Sequence, residues 1–188
     1  GERFIPQEQV IAANLDLLFP GMEILAVHPF RVTRDLDLDL EIDEADDLLA
    51  ALRSQIDWQQ ENILIFGERK RVPRLVAWHG DPGTAYTYSG AAHEPLPWTP
   101  ELQRVRQRAE GLTMHHYNSV LLNLYRDGRD GMGWHADDEP ELGREPAIAS
   151  VSLGATRRFK LRHRRSRVAA TTLDLAHGDL LLMAGATQ

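Results

Sequence analysis

The chain has 188 residues, 43% apolar and 26% charged, enough for one substantial core and too apolar for a disordered segment. Its net charge of −7 argues against a uniformly basic nucleic-acid coat. With no cysteine there can be no disulfide framework, thiolate nucleophile or cysteine-held zinc, and a reducing cytoplasm is the expected compartment.

The opening GERFIPQEQV has neither a basic nor an apolar leader segment, so no secretory signal is expected. Apolar runs such as Leu180–Met183 are strand-sized, which speaks against a membrane protein. The first readable element is Asp35–Ile42, DLDLDLEI, whose period of two predicts a half-buried strand with leucines inward and acids outward. Helical spacing of Leu48, Leu49, Leu52 and Ile56, after acids in a first turn, predicts a helix over Asp43–Ile56. A second helix should begin at Pro100, capped by Thr99, and stop at Gly111. From Thr113 onward, short apolar runs separated by turn signals predict strands, among them NSVLLNLY, WHADD, AIASVSLG, RRFKLRH, TTLDLAHGD and LLLMAG. Helices followed by regularly spaced strands predict an α+β chain, a double-stranded β-helix or jelly roll with helices packed outside.

Charge is unevenly spread along this plan. Residues 35–47 hold eight acids and no base, leaving 21 bases against 20 acids elsewhere. In Arg157–Arg167, RRFKLRHRRSR, seven of eleven residues are Lys or Arg, enough to meet several phosphates if they share a face; a solvated basic turn would read the same way.

Two short patterns carry chemistry. In a strand, residues two apart share a side, so His135 and Asp137 of GWHADDEP could offer a ring nitrogen and a carboxylate oxygen to one cation. A lone His-x-Asp is weak by itself. The same rule puts Asn123 and Tyr125 on one face with Ser119 and Leu121, and Val120, Leu122 and Leu124 on the other. An Asn and a Tyr so placed must find partners or meet water, and cross-strand hydrogen bonding would satisfy them without any ligand.

Together NSVLLNLYRDGRDGMGWHADDEPELGREPAIASVSLGATRRFKLRH and LAHGDLLLMAGATQ resemble the AlkB family of Fe(II) and 2-oxoglutarate dependent dioxygenases. Upstream, FGERKRVPRLVAWHGDPGTAYTYSG is similar to the nucleotide-recognition lid of that family's double-strand repair members. The likeness implies one domain: an N-terminal support at residues 1–60, a lid at 61–98, and a helix with jelly-roll core at 99–188. It implies His135 and Asp137 as two ligands of a 2-His-1-carboxylate iron site, and Asn123 and Tyr125 as hydrogen-bond partners of 2-oxoglutarate. With dioxygen, such a site hydroxylates N-methyl groups whose products release formaldehyde, in 1-methyladenine or 3-methylcytosine of DNA, or of RNA. The second histidine ligand and the 2-oxoglutarate arginine would lie beyond Gln188, so a chain truncated at its C-terminus is expected, one that by itself binds iron poorly. His177 in AHGD is read as structural.

The resemblance also implies roles in substrate binding. Tyr86, Tyr88 and Ser89 would receive a flipped base, and Asp138 and Glu139 would meet its exocyclic amine or orient arginines. Phe66 would fill the gap left in the stack, and Arg69, Lys70, Arg71, Arg74 and Arg162 would contact the backbone. A monomer is the default. Two alternatives stand beside this reading: a nucleic-acid binding module that lacks its metal, and a 2-oxoglutarate dioxygenase acting on a protein or small molecule.

Overall fold

The computed structural model describes residues 31–33, 42–65, 68–84, 86–88, 91–137, 142–143, 146–164 and 169–184. The expected strand at 35–42 lies outside them except for Ile42, which opens helix α1 (Ile42–Gln55), one residue from the predicted start. Leu48, Leu52 and Ile56 are buried as their spacing requires. Helix α2 (Pro100–Thr113) starts where predicted: the Thr99 hydroxyl accepts from the Leu102 amide, and Pro100 occupies a first-turn position that needs no donor. It ends later than predicted. Gly111 stays helical, and the chain turns at Met114, whose φ of 58° is left-handed and whose amide reaches the Glu110 carbonyl. Packing holds the extra residues, because Leu112 and Tyr117 cover Leu180, and the Tyr117 hydroxyl meets that of Thr113.

The strands, all paired antiparallel, follow in chain order. Strand β1 (Arg31–Thr33) pairs with β11 (Leu180–Met183), which pairs in turn with β8 (Ile148–Val151). Strands β2 (Asn62–Ile65) and β3 (Glu68–Arg71) form one hairpin, and β5 (Tyr86–Tyr88) and β6 (Ala91–His93) another. Strand β4 (Leu75–Gly80) pairs with β7 (Ser119–Leu124), setting Val76 opposite Asn123 and Ala77 opposite Leu122. Strands β9 (Arg157–Leu161) and β10 (Thr171–Leu175) form the last hairpin.

Three apolar clusters organise these pieces. Leu48, Leu52 and Ile56 of the α1 segment and Leu102 of α2 pack on Ala77, Val120 and Leu122, so both helices lie on one face of β4–β7. Further along α2, Ala109 covers Leu180. Its neighbour Leu181 turns the other way, with Met183, to meet Phe159, Leu161 and Leu173, so β8–β11 and β9–β10 face each other across a shared interior. The alternation along β11 therefore puts helices outside and a second sheet inside.

The turn before β11 is tied to the end of β8. Ser152 donates to the Asp179 carbonyl and Gly178 to that of Ser152, while the Gly154 amide donates to His177 Nδ1 at 2.7 Å. Gly154 and Gly178 have φ of 87° and 82°, which side chains with a Cβ rarely adopt. His177 is thus an acceptor inside a turn, in agreement with its structural reading. No helix among the described residues is long and apolar enough to cross a membrane.

Candidate metal centre and nucleic-acid interface

One face of β7 packs under the helices through Val120 and Leu122, so Leu121 and Asn123 must look the other way. A broad open space of about 2760 Å³, lined from both faces of β7, reaches Leu121 and Asn123. The cleft is also lined by Tyr125, Trp134, His135, Asp137 and Arg157. The period-two reading of NSVLLNLY therefore holds for β7, with Tyr125 one residue past its end.

His135 and Asp137 do come together, but the predicted strand does not form: residues 131–137 have no regular secondary structure. What orients the histidine is local. Its Nδ1 lies 2.8 Å from the Gly133 carbonyl oxygen, which can only accept, so in the neutral ring Nδ1 carries the proton and Nε2 the lone pair. That Nε2 lies 3.7 Å from Asp137 Oδ1, too far for a hydrogen bond; a cation bonded to both at about 2 Å would draw the two atoms closer, to about 3 Å. Backbone carbonyls fix metal-binding histidines in this way, since holding one nitrogen aims the other. The pair is partly open to solvent, as an exchangeable site must be. Among the described residues no group of three or more His, Cys, Asp or Glu is placed to hold an ion. An imidazole nitrogen and a carboxylate oxygen are donors of the kinds that a 2-His-1-carboxylate set uses.

A polar framework that the sequence reading did not reach follows β7. Arg126 donates from Nε to Asp130 Oδ2 at 2.7 Å and from a terminal nitrogen to Oδ1 at 2.9 Å, and the Arg126 amide adds a third bond. The Arg126 guanidinium and amide hold the Asp130 carboxyl down to about 2, from an ordinary 3.8. A depressed carboxylate stabilises the fold above its unfolded value and loses that contribution as pH falls from 3.8 towards 2. Accordingly, Asp130→Asn should lower the melting temperature at pH 7 and leave it nearly unchanged at pH 2. Equal loss at both values would show that the charge is not what Arg126 uses.

Arg157 extends the framework to the cleft. Its terminal nitrogen donates to the Asp130 carbonyl at 2.6 Å, and its guanidinium carbon sits 4.0 Å from the centre of the Tyr125 ring. Arg157 belongs to the basic run read as a phosphate patch, but here it braces Tyr125.

Arg74, predicted to meet the nucleic-acid backbone, is 7% exposed, and its Nε donates to Asn123 Oδ1 at 2.6 Å. A guanidinium buried against Asn123 cannot face a phosphate, so this expectation is corrected. The cause is strand pairing: β4 begins at Leu75, opposite Leu124, which draws the preceding arginine under Asn123. No local pattern announces a contact across 49 residues. Arg69, Lys70 and Arg71, by contrast, are exposed along β3, and Arg162 is exposed just past β9. The β5–β6 register sets Tyr86 opposite His93 and Tyr88 opposite Ala91. Phe66, Ser89, Asp138 and Glu139 lie outside the described residues.

Comparison with known proteins bears on this arrangement. Residues 38–188 match the family model of the 2OG-Fe(II) oxygenase superfamily. Residues 1–62 match the polyphosphate kinase middle domain, over about a third of the chain. The chain is 43% identical over 150 residues to human DNA oxidative demethylase ALKBH2, covering 74% of the chain and 58% of that protein. It is 42% identical over 158 residues to human alpha-ketoglutarate-dependent dioxygenase alkB homolog 3, covering 79% and 54%. To ALKBH2 of Arabidopsis thaliana it is 33% identical over 163 residues, covering 73% and 52%. The chain thus spans about half the length of the curated relatives it matches.

Proposed function

The chain belongs to the AlkB family of the 2OG-Fe(II) oxygenase superfamily, and from that premise we propose that it oxidatively demethylates N-alkylated bases such as 1-methyladenine and 3-methylcytosine in DNA, with RNA as a second substrate. The observation that carries the proposal is the meeting of His135 Nε2 and Asp137 Oδ1 at 3.7 Å in a cleft walled by Asn123 and Tyr125.

Each residue has a defined task in this reading. His135 and Asp137 would hold Fe(II), with the Gly133 carbonyl fixing the imidazole so that Nε2 keeps its lone pair for a metal. Fe(II) bound with 2-oxoglutarate and dioxygen supplies the oxidising power that an unreactive N-methyl C–H bond requires and that acid–base groups lack. The Asn123 amide and Tyr125 hydroxyl hydrogen-bond 2-oxoglutarate, and the Arg74 and Arg157 contacts keep both side chains aimed into the cleft. A base buried in a duplex cannot reach the iron, so it must turn out and be held by its faces and edge. Tyr86, Tyr88 and Ser89, in a recognition lid at 61–98, would hold it, and Asp138 and Glu139 would meet its exocyclic amine. Arg69, Lys70, Arg71 and Arg162 would contact phosphates. The protein would act as a monomer in the cytoplasm.

The direct test incubates the full-length protein with Fe(II), 2-oxoglutarate and a 3-methylcytosine oligonucleotide and follows succinate and restored cytosine. Stoichiometric appearance of both is expected. Oligonucleotide binding without either product would leave a nucleic-acid binding module; succinate formed only with a protein or small molecule would move the activity to that class.

Phe66 is assigned the stack-filling role, and unstacking costs a few kcal/mol that only a duplex incurs. Phe66→Ala should therefore lower turnover on duplex at least about tenfold more than on single strands. Equal loss on the two would return Phe66 to the core.

A further inference from the structure

We propose that Trp134 and Arg162 form a stacking platform for an unpaired nucleobase next to the one presented to His135, so that the cleft takes single-stranded polynucleotide. This rests on reading the His135–Asp137 pair as the demethylation centre.

Trp134 is 51% exposed, the one exposed Phe, Trp or Tyr among residues whose side chains are described. It directly precedes His135 and lines the same cleft. The Arg162 guanidinium carbon lies 4.2 Å from the Trp134 ring centre, which fixes the indole and leaves about half of the residue's surface open. A rigid aromatic face backed by a cation is what a sequence-tolerant single-strand binder offers: every base has a π-face to stack, and the cation lies where the backbone must pass. Lys160 and Arg164, which flank Arg162 in sequence, are exposed and line the same open space. In a duplex both faces of each base are covered by stacked neighbours, so the indole gains a partner only where a base is unpaired.

The test separates stacking from charge and from chemistry. The full-length protein, without iron or 2-oxoglutarate, is titrated with an unmodified single-stranded oligonucleotide and with an abasic one of equal length, and anisotropy is followed. Phosphates are equal in both, so preference for the first measures base stacking. Wild type should prefer bases about tenfold, Trp134→Ala should lose that preference, and Trp134→Phe should keep most of it. Arg162→Gln should weaken binding to both oligonucleotides and reduce its salt dependence. Undiminished base preference in a folded Trp134→Ala protein would overturn the platform, as would a wild type with no preference. Neither result touches the demethylation reading, which fails instead if a protein with intact base preference yields no succinate from any methylated oligonucleotide.

Discussion

Replacing Asp137 with alanine is expected to lower turnover by more than about a hundredfold, since loss of an outer hydrogen-bond partner alone costs a metal site 10–100-fold and Asp137 is proposed as a ligand. Fe(II) affinity should fall in parallel, because a lone imidazole binds weakly. Oligonucleotide affinity should stay within a few-fold: the carboxylate repels phosphates, so its removal takes no attraction away. Succinate production and anisotropy, measured on one preparation, check both halves. Retained turnover would mean that the metal is held elsewhere in the chain.

The second large effect concerns Arg74. As a phosphate contact its loss would lower the salt dependence of binding by about one unit of slope. Buried against Asn123, it should behave otherwise. Arg74→Ala leaves the Asn123 amide oxygen without its donor, at a cost of about 1–3 kcal/mol, and frees the amide to rotate. The KM for 2-oxoglutarate should rise roughly tenfold, a loss of about 1.4 kcal/mol, with the salt slope unchanged. Lysine should not restore it, because an ammonium cannot reproduce the planar Nε–H geometry. Replacing Arg69, Lys70 and Arg71 together should do the reverse, flattening the salt dependence while sparing that KM. An Arg74 variant that alters the salt slope and not the KM would reinstate the phosphate contact.

These residues show what a one-dimensional reading can reach. Helices α1 and α2 were legible because their signals are local: acids and apolar spacing in one, a Thr-Pro start in the other. The facing of β7 was legible for the same reason, since period two needs no partner. The end of α2 was not, because Leu112 and Tyr117 hold it through Leu180, nearly seventy residues on. His135 and Asp137 were identified on a strand argument, yet they meet in a loop where the Gly133 carbonyl turns the ring. The device that brings them together was hidden. Arg74 and Arg157 were misjudged alike: basic residues in basic runs look like phosphate contacts until strand pairing sets one beneath Asn123 and the other over Tyr125.

The central claim is that His135 offers Nε2, with Nδ1 protonated against Gly133, to a cation shared with Asp137. Its most direct test is nitrogen NMR of the full-length protein labelled at its histidines and titrated with Zn(II), a diamagnetic substitute for Fe(II), with His135 assigned through His135→Gln. Nε2 of His135 should move to a metal-bound shift at one equivalent while Nδ1 keeps its proton, and Asp137→Ala should weaken the response. A His135 ring that ignores the metal, or binds it through Nδ1, would contradict the account.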